Sequence, residues 1–277
     1  MEYSPNKMQQ LLKDNDFIFK KNFGQNFIID ENIINNIVNK SNIDNSTLVI
    51  EIGPGAGSLT YKLASVAKRV LCYEIDTRLK KILETNLKDV NNVDIVFEDF
   101  LKVDLKKKLE EYDYDKLYVV ANLPYYITTP IIVKFIEEEI NVDKIVVMVQ
   151  KEVGDRFKAN VGTKEYNSLT IFLNYYFDVR KVMDVSKNVF IPKPNVDSIV
   201  VEFQKKKEKQ KLNNTTFFFK LIKDSFKQKR KTIRNNLNNY NLEKIEEILL
   251  SHNYSLSSRA EQIPIDVFVE IANKLSD

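Results

Sequence analysis

Apolar residues fall along this chain in two textures. Up to about residue 203, short apolar runs alternate with stretches in which apolar residues recur every three or four positions. Leu48–Ile52, Val70–Tyr73, Val93–Phe97, Leu117–Ala121 and Lys144–Val149 read as strands. Leu59–Ala67 and Leu79–Leu87 read as helices between them. Ile28, Ile29, Ile33, Ile34, Ile37 and Val38 keep helical spacing around Asp30 and predict a helix before the first strand. Thr129-Pro130 predicts another helix start, with Thr129 as N-cap and Pro130 at the first helical position. Two more strands, near Tyr175–Val185 and Asp197–Phe203, bring the total to about seven. Strands alternating with helices predict an α/β fold, a mostly parallel sheet covered on both faces.

After Phe203 the pattern changes. Lys205–Lys211 is a charge run without periodicity and reads as a linker, followed by three helical stretches at Phe217–Leu237, Leu242–Leu250 and Ile265–Leu275. The expected division is a sheet domain over residues 1–205 and a small all-helical domain over 206–277.

Composition narrows the classes. A chain of 277 residues, 43% hydrophobic and 29% charged, has the balance of a soluble globular protein, and no apolar stretch reaches the roughly 20 residues of a membrane span. Glu2, Asp14 and Asp16 break up any secretory signal, and the first arginine is Arg69, so a cytoplasmic location is expected. A single cysteine (Cys72, in a strand pattern) and a single histidine (His252) speak against a disulfide and against a transition-metal site. The net charge of +3 is segregated. Twelve Lys or Arg stand against Glu208 and Asp224 between residues 205 and 235, a local balance of +10, which leaves −7 for the rest. A basic block on an acidic body fits a polyanion contact on one face; the plainer reading is a solvated lysine-rich linker and helix.

The candidate chemistry lies at the ends of successive strands. Glu51-Ile-Gly53-Pro-Gly55-Ala-Gly57 follows the first strand, where glycines let backbone pass close to a ligand. Ser58 occupies the sixth position of a dinucleotide fingerprint and no Gly-Lys-Ser/Thr follows, so neither a dinucleotide loop nor a phosphate-binding P-loop fits. Alternate glycines after an acidic residue suit S-adenosylmethionine, which has no phosphate. Glu74 ends the second strand, where a carboxylate accepts ribose hydroxyls. Asp99 is placed to accept from an adenine amine, with Phe100 to stack on the ring. Asn122-Leu123-Pro124-Tyr125 reads as a clamp for the exocyclic amine of a nucleobase. The Asn122 side-chain oxygen and a nearby backbone carbonyl accept its two N–H bonds, Pro124 stiffens the turn, and Tyr125 offers a ring to the flipped base.

These motifs resemble the ribosomal RNA small-subunit adenine dimethyltransferases from about Phe23 to Leu275. The resemblance rests on Gly24-Gln25-Asn26-Phe27, the Glu51–Gly57 loop, Tyr73-Glu74-Ile75-Asp76 and Glu98-Asp99-Phe100. It continues through Asn122–Tyr126, Val149–Val153 with Arg156, and Phe190–Ser198. It implies a Rossmann-like methyltransferase fold of seven strands, the last antiparallel, with S-adenosylmethionine contacts at Asn26, Ile28, Gly53, Glu74, Asp99 and Asn122. It also implies dimethylation at N6 of two adjacent adenosines in the 3′-terminal hairpin of small-subunit rRNA, free or in a pre-ribosomal particle, during subunit maturation. A monomer is the default. Phe226–Asn235 matches a further family feature in which Lys229, Arg230, Lys231 and Arg234 read either as RNA-backbone contacts or as clasps between domains; Arg259 is expected to anchor the helical domain. The rivals are a large-subunit adenine methylase of the erythromycin-resistance type, where Ile is usual at the position of Leu123, and a non-catalytic assembly factor. Residues 1–20 match nothing in the family and suggest an arm that orders over cofactor or RNA.

Overall fold

The computed structural model describes residues 5–20, 23–124 and 127–276. Nine strands are found among them: β1 (Phe27–Ile28), β2 (Thr47–Ile52), β3 (Arg69–Tyr73), β4 (Val93–Val96), β5 (Lys116–Asn122), β6 (Lys144–Gln150), β7 (Phe177–Val185), β8 (Phe190–Ile191) and β9 (Ser198–Lys205). Seven form one sheet in the order β4-β3-β2-β5-β6-β9-β7. The pairs from β4 through β6 are parallel, and β9 runs antiparallel to β6. Because the chain winds outward from β2 in both directions, the carboxyl ends of β2, β3, β4 and β5 share one edge of the sheet. Ligands of open α/β sheets bind along such an edge.

Strand β2 is buried at all six positions, and β5 and β6 at nearly all, as expected of strands covered on both faces. The chain divides into two compact units. The first comprises residues 1–154 and 180–204, the second residues 155–179 and 205–277. The first has its core around Val49, Val70, Cys72, Val120 and Val146, and the second around Ile171, Phe218, Leu221, Ile245 and Phe268. The second unit therefore includes a mid-chain segment that apolar periodicity does not set apart.

Four local expectations change. Ile28 and Ile29 precede the expected helix, which runs Glu31–Ser41 and follows an earlier one at Pro5–Asp14; Asp30 caps it by accepting from Asn32 N and Ile33 N. Ile28 instead sits in β1, which pairs antiparallel with β8. The helix expected at Thr129-Pro130 begins at Thr128 after Ile127 without a side-chain cap. Pro130 lies in its first turn, where an N–H would have no helical partner anyway, and Thr128 Oγ1 donates to Pro124 O at 3.2 Å. Tyr175 and Tyr176 end a helix, Ser168–Tyr176, whose Asn167 cap accepts from Leu169 N and Thr170 N. The long helix expected over Phe217–Leu237 breaks into Thr215–Ser225 and Ile233–Asn236. A continuous helix would stack Lys227 on Arg230 and Lys231 at spacings of three and four, which repel. Asn236 secures the break, with its Nδ2 donating to Ser225 O at 2.7 Å and its Oδ1 accepting from Gln228 N at 3.2 Å.

Candidate active site

Burial of β2 carries the chain to Ile52, and the Gly53–Gly57 loop then turns it sharply. Gly53, Gly55 and Gly57 have φ of +73°, +58° and +85°, in the left-handed region that favours glycine. At Gly55 a Cβ would stand 2.8 Å from Cε1 of Phe27, so an aromatic ring lies directly on the loop. Gly57 precedes the helix Ser58–Ala64. Glu74, just beyond β3, reaches back to the loop: its Oε2 accepts from Gly55 N at 3.2 Å and its Oε1 from Asp76 N at 2.8 Å. Burial pushes the Glu74 carboxyl up to about 7, against the pull of these backbone donors. Beneath it Glu51 is fully buried, takes the Cys72 thiol at 3.7 Å, and is pushed up to about 8, again chiefly by burial.

Asp99 follows β4 and caps a short turn by accepting from Leu101 N at 3.1 Å. Phe100 behind it is buried, with its ring 5.3 Å from that of Tyr73 and 5.5 Å from that of Phe135. Asn122 is the last residue of β5, and its Nδ2 donates to Asn26 O at 2.8 Å. That bond fixes the amide and leaves Oδ1 as the free acceptor among the described residues. Leu123 is buried, its N–H donating to Met148 O at 3.2 Å, and Pro124 O accepts from Ile127 N. Pro124 Cδ lies 3.9 Å from where a Gly53 Cβ would stand, so the clamp and the glycine loop are neighbours. Tyr125 lies outside the described residues.

Asn26, Ile28, Gly53, Gly55, Glu74, Asp99, Asn122, Leu123 and Pro124 thus line one cleft, ≈ 970 Å³ with its open mouth. Segments nearly a hundred residues apart in sequence meet there. A network that the sequence reading does not pick out holds the rim. Asp76 accepts from Gln25 Nε2 at 2.6 Å and from Arg78 Nε at 2.8 Å. Burial alone would raise the Asp76 carboxyl, but Arg78 and Gln25 outweigh it and hold it below its ordinary value. Gln25 and Asp76 both stand in motifs quoted for the resemblance, but nothing in their spacing shows that they meet, and Arg78 lies outside those motifs.

The basic residues belong to the other unit. Arg230 and Lys231 are exposed in the turn after Thr215–Ser225, and Arg234 lies 3.9 Å from Glu246 in an exposed pair. Lys229 Nζ donates to Lys164 O at 2.7 Å, which gives it a structural bond inside the helical unit. Arg259 is tied in through its backbone, which bridges to Thr232. Among the described residues no group of three or more His, Cys, Asp or Glu could hold a metal, and no helix is long and apolar enough to cross a membrane.

A seven-stranded sheet of this order, with a glycine loop after β2 and an acidic residue after β3, is the methyltransferase fold that uses S-adenosylmethionine. A family model described as ribosomal RNA adenine dimethylase matches residues 16–277, and the chain belongs to that family of methyltransferases. A Staphylococcus aureus protein called ribosomal RNA small subunit methyltransferase A is 52% identical over 240 residues, 86% of this chain and 81% of its own. A dimethyladenosine transferase from Plasmodium falciparum has the same fold with a TM-score of 0.73 and 27% identity, covering 88% of this chain and 95% of that one. A 23S rRNA methyltransferase aligns with a TM-score of 0.70 at 24% identity, covering 91% of this chain and all of that one, and shares the fold.

Proposed function

We propose that this enzyme dimethylates N6 of two adjacent adenosines in the 3′-terminal hairpin of small-subunit rRNA, using S-adenosylmethionine, and acts in small-subunit maturation. The observation that carries this reading is the convergence of Asn26, Gly53, Glu74, Asp99 and Asn122 on one cleft. Its fit to the cofactor rests on chemistry. Glu74 is a buried carboxylate able to accept two hydroxyls, Asp99 is an acceptor for an amine, and the Gly53–Ala56 loop lines the same cleft. When bound, S-adenosylmethionine supplies an electrophilic methyl group on a sulfonium.

The protein's own work is on the acceptor. An adenine amine is a poor nucleophile because its lone pair is delocalised into the ring. Asn122 Oδ1 and a backbone carbonyl of the Asn-Leu-Pro turn accept its two N–H bonds and favour the pyramidal form that exists only as the bond forms. Since Nδ2 is already engaged by Asn26 O, the amide presents an acceptor to the base, which selects an amine over a keto oxygen. Holding amine and methyl in line supplies much of the rate. The methylated ammonium is acidic enough to release its proton to water, so no side-chain base is required.

The test is transfer of labelled methyl groups to undermethylated small and large subunits side by side, with nucleoside analysis by mass. Dimethyladenosine in the small subunit alone is expected; label in the large subunit would overturn the target assignment. Asn122→Ala should lower kcat by about 10²–10³, the range for loss of one such hydrogen bond. Asn122→Asp should do no better, because its second oxygen would face Asn26 O at 2.8 Å, acceptor against acceptor. An Asp variant with near-normal turnover would sink the clamp.

A further inference from the structure

We propose that a groove in the helical unit binds unpaired RNA nucleotides, with Lys220 and Lys227 on phosphates and Asn238 and Asn239 on base edges above an aromatic floor. The groove, ≈ 1210 Å³ with its open mouth, is lined from Phe217 to Tyr240 and shares no residue with the cofactor cleft. Phe217, Lys220 and Asp224 fall on one face of the helix Thr215–Ser225 at spacings of three and four. Residues 235–240 bring in the amides and Tyr240. The rings of Phe217 and Tyr240 meet at 6.0 Å and 66°, both half-buried, and form the floor.

Three observations point to this ligand. Lys220 and Lys227 are exposed and pair with no described acid, so two full positive charges face the groove. The one acid in the wall, Asp224, is occupied by the Tyr240 hydroxyl at 2.5 Å. Asn238 and Asn239 are exposed with their amides free of described partners, whereas Asn236 beside them is spent on holding the helix break. Amides donate and accept together, which suits base edges; ammonium groups suit phosphate; half-buried rings suit stacking. Duplex RNA keeps its base faces stacked and its major-groove edges out of reach, whereas a looped or splayed strand presents phosphates, base edges and base faces at once. Lys227 and Gln228 also begin the turn that carries Arg230 and Lys231, so the groove continues the basic run.

The inference rests on the reading that the enzyme acts on RNA, and the test separates the two. Binding of full-length K220Q/K227Q and N238A/N239A to deproteinised small-subunit rRNA and to intact subunits would be measured against salt, with methyl transfer, cofactor affinity and melting as controls. The lysine pair should flatten the salt dependence by about 1.4 units of slope, 0.7 for each single-strand phosphate contact. The asparagine pair should weaken binding to a looped RNA, leave a blunt duplex of equal length unaffected and keep the slope. Cofactor affinity and melting should stay at wild-type values. Unchanged slope and affinity in both variants would overturn the groove while leaving the methylation reading intact. Loss confined to intact subunits would mean a protein partner and also overturn it. If wild-type enzyme bound RNA through the groove yet methylated no rRNA, the functional reading would fall and the groove would stand.

Discussion

Glu74 shows how one side chain serves both fold and ligand. Its two oxygens already hold Gly55 N and Asp76 N, so it shapes the glycine loop before any cofactor arrives. With a carboxyl pushed from an ordinary 4.5 up to about 7 by burial, it carries a proton in the folded chain that the unfolded chain loses. Between those values the native state binds more protons, so this group's contribution makes stability fall as pH rises from about 4.5 to 7. A cofactor whose ribose hydroxyls donate to the charged form reverses the preference and expels the proton. Calorimetry at pH 6.5 in buffers of different ionisation enthalpy should therefore show proton release on S-adenosylmethionine binding, and affinity should rise toward pH 8. Glu74→Gln should bind weakly and without that proton. Equal proton release in the variant would assign the effect to another group, with Glu51 below it the first suspect.

At the scale of elements, the strand ends were legible and the pieces that fasten them were not. Alternation of apolar runs and helical stretches predicted β2 to β6 within a residue or two, because strands buried on both faces have few other ways to be written. The two-residue pair β1 and β8 left no such trace, yet it sets Phe27 against Gly55. Phe17 and Phe19 back that ring at 6.1 and 5.3 Å, and the Arg78 guanidinium lies 5.0 Å from the Phe17 ring. Gly55→Ala would meet two costs, a left-handed φ worth about 1–2 kcal/mol and a Cβ 2.8 Å from the ring. It should weaken cofactor binding tenfold or more, on the order of 1.4 kcal/mol. A second change, Phe27→Leu, should recover part of that loss by relieving the contact but none of the backbone strain. If the double variant binds no better than Gly55→Ala, the ring is not what constrains the loop.

The whole molecule is less sequential than its apolar pattern suggests. A change of texture after Phe203 marked residue 206 as a boundary, but nothing in the periodicity of residues 155–179 detaches them from the sheet, because an aromatic helix leading into a strand reads as more of the same. Their side chains reveal their place. Tyr166, Ile171, Phe172 and Tyr175 are buried in the helical core, with Phe172 4.8 Å from Phe219 and Tyr175 5.4 Å from Phe218, ring to ring. Tyr175 OH donates to Gln210 O at 2.6 Å, and Gly162 N donates to Glu261 O at 2.7 Å. At about 1.5–3 kcal/mol for each large apolar side chain buried, these four rival the roughly 5–15 kcal/mol net stability of a whole domain. A fragment of residues 206–277 should therefore lack fixed tertiary structure, with poor amide dispersion and strong dye binding. Joining residues 155–179 to 205–277 through a short flexible linker should restore a cooperative melt, since Lys206 N already bonds Tyr176 O at 2.9 Å and the gap to be spanned is small. A cooperative melt of 206–277 alone would show that the borrowed segment decorates a core that needs no help.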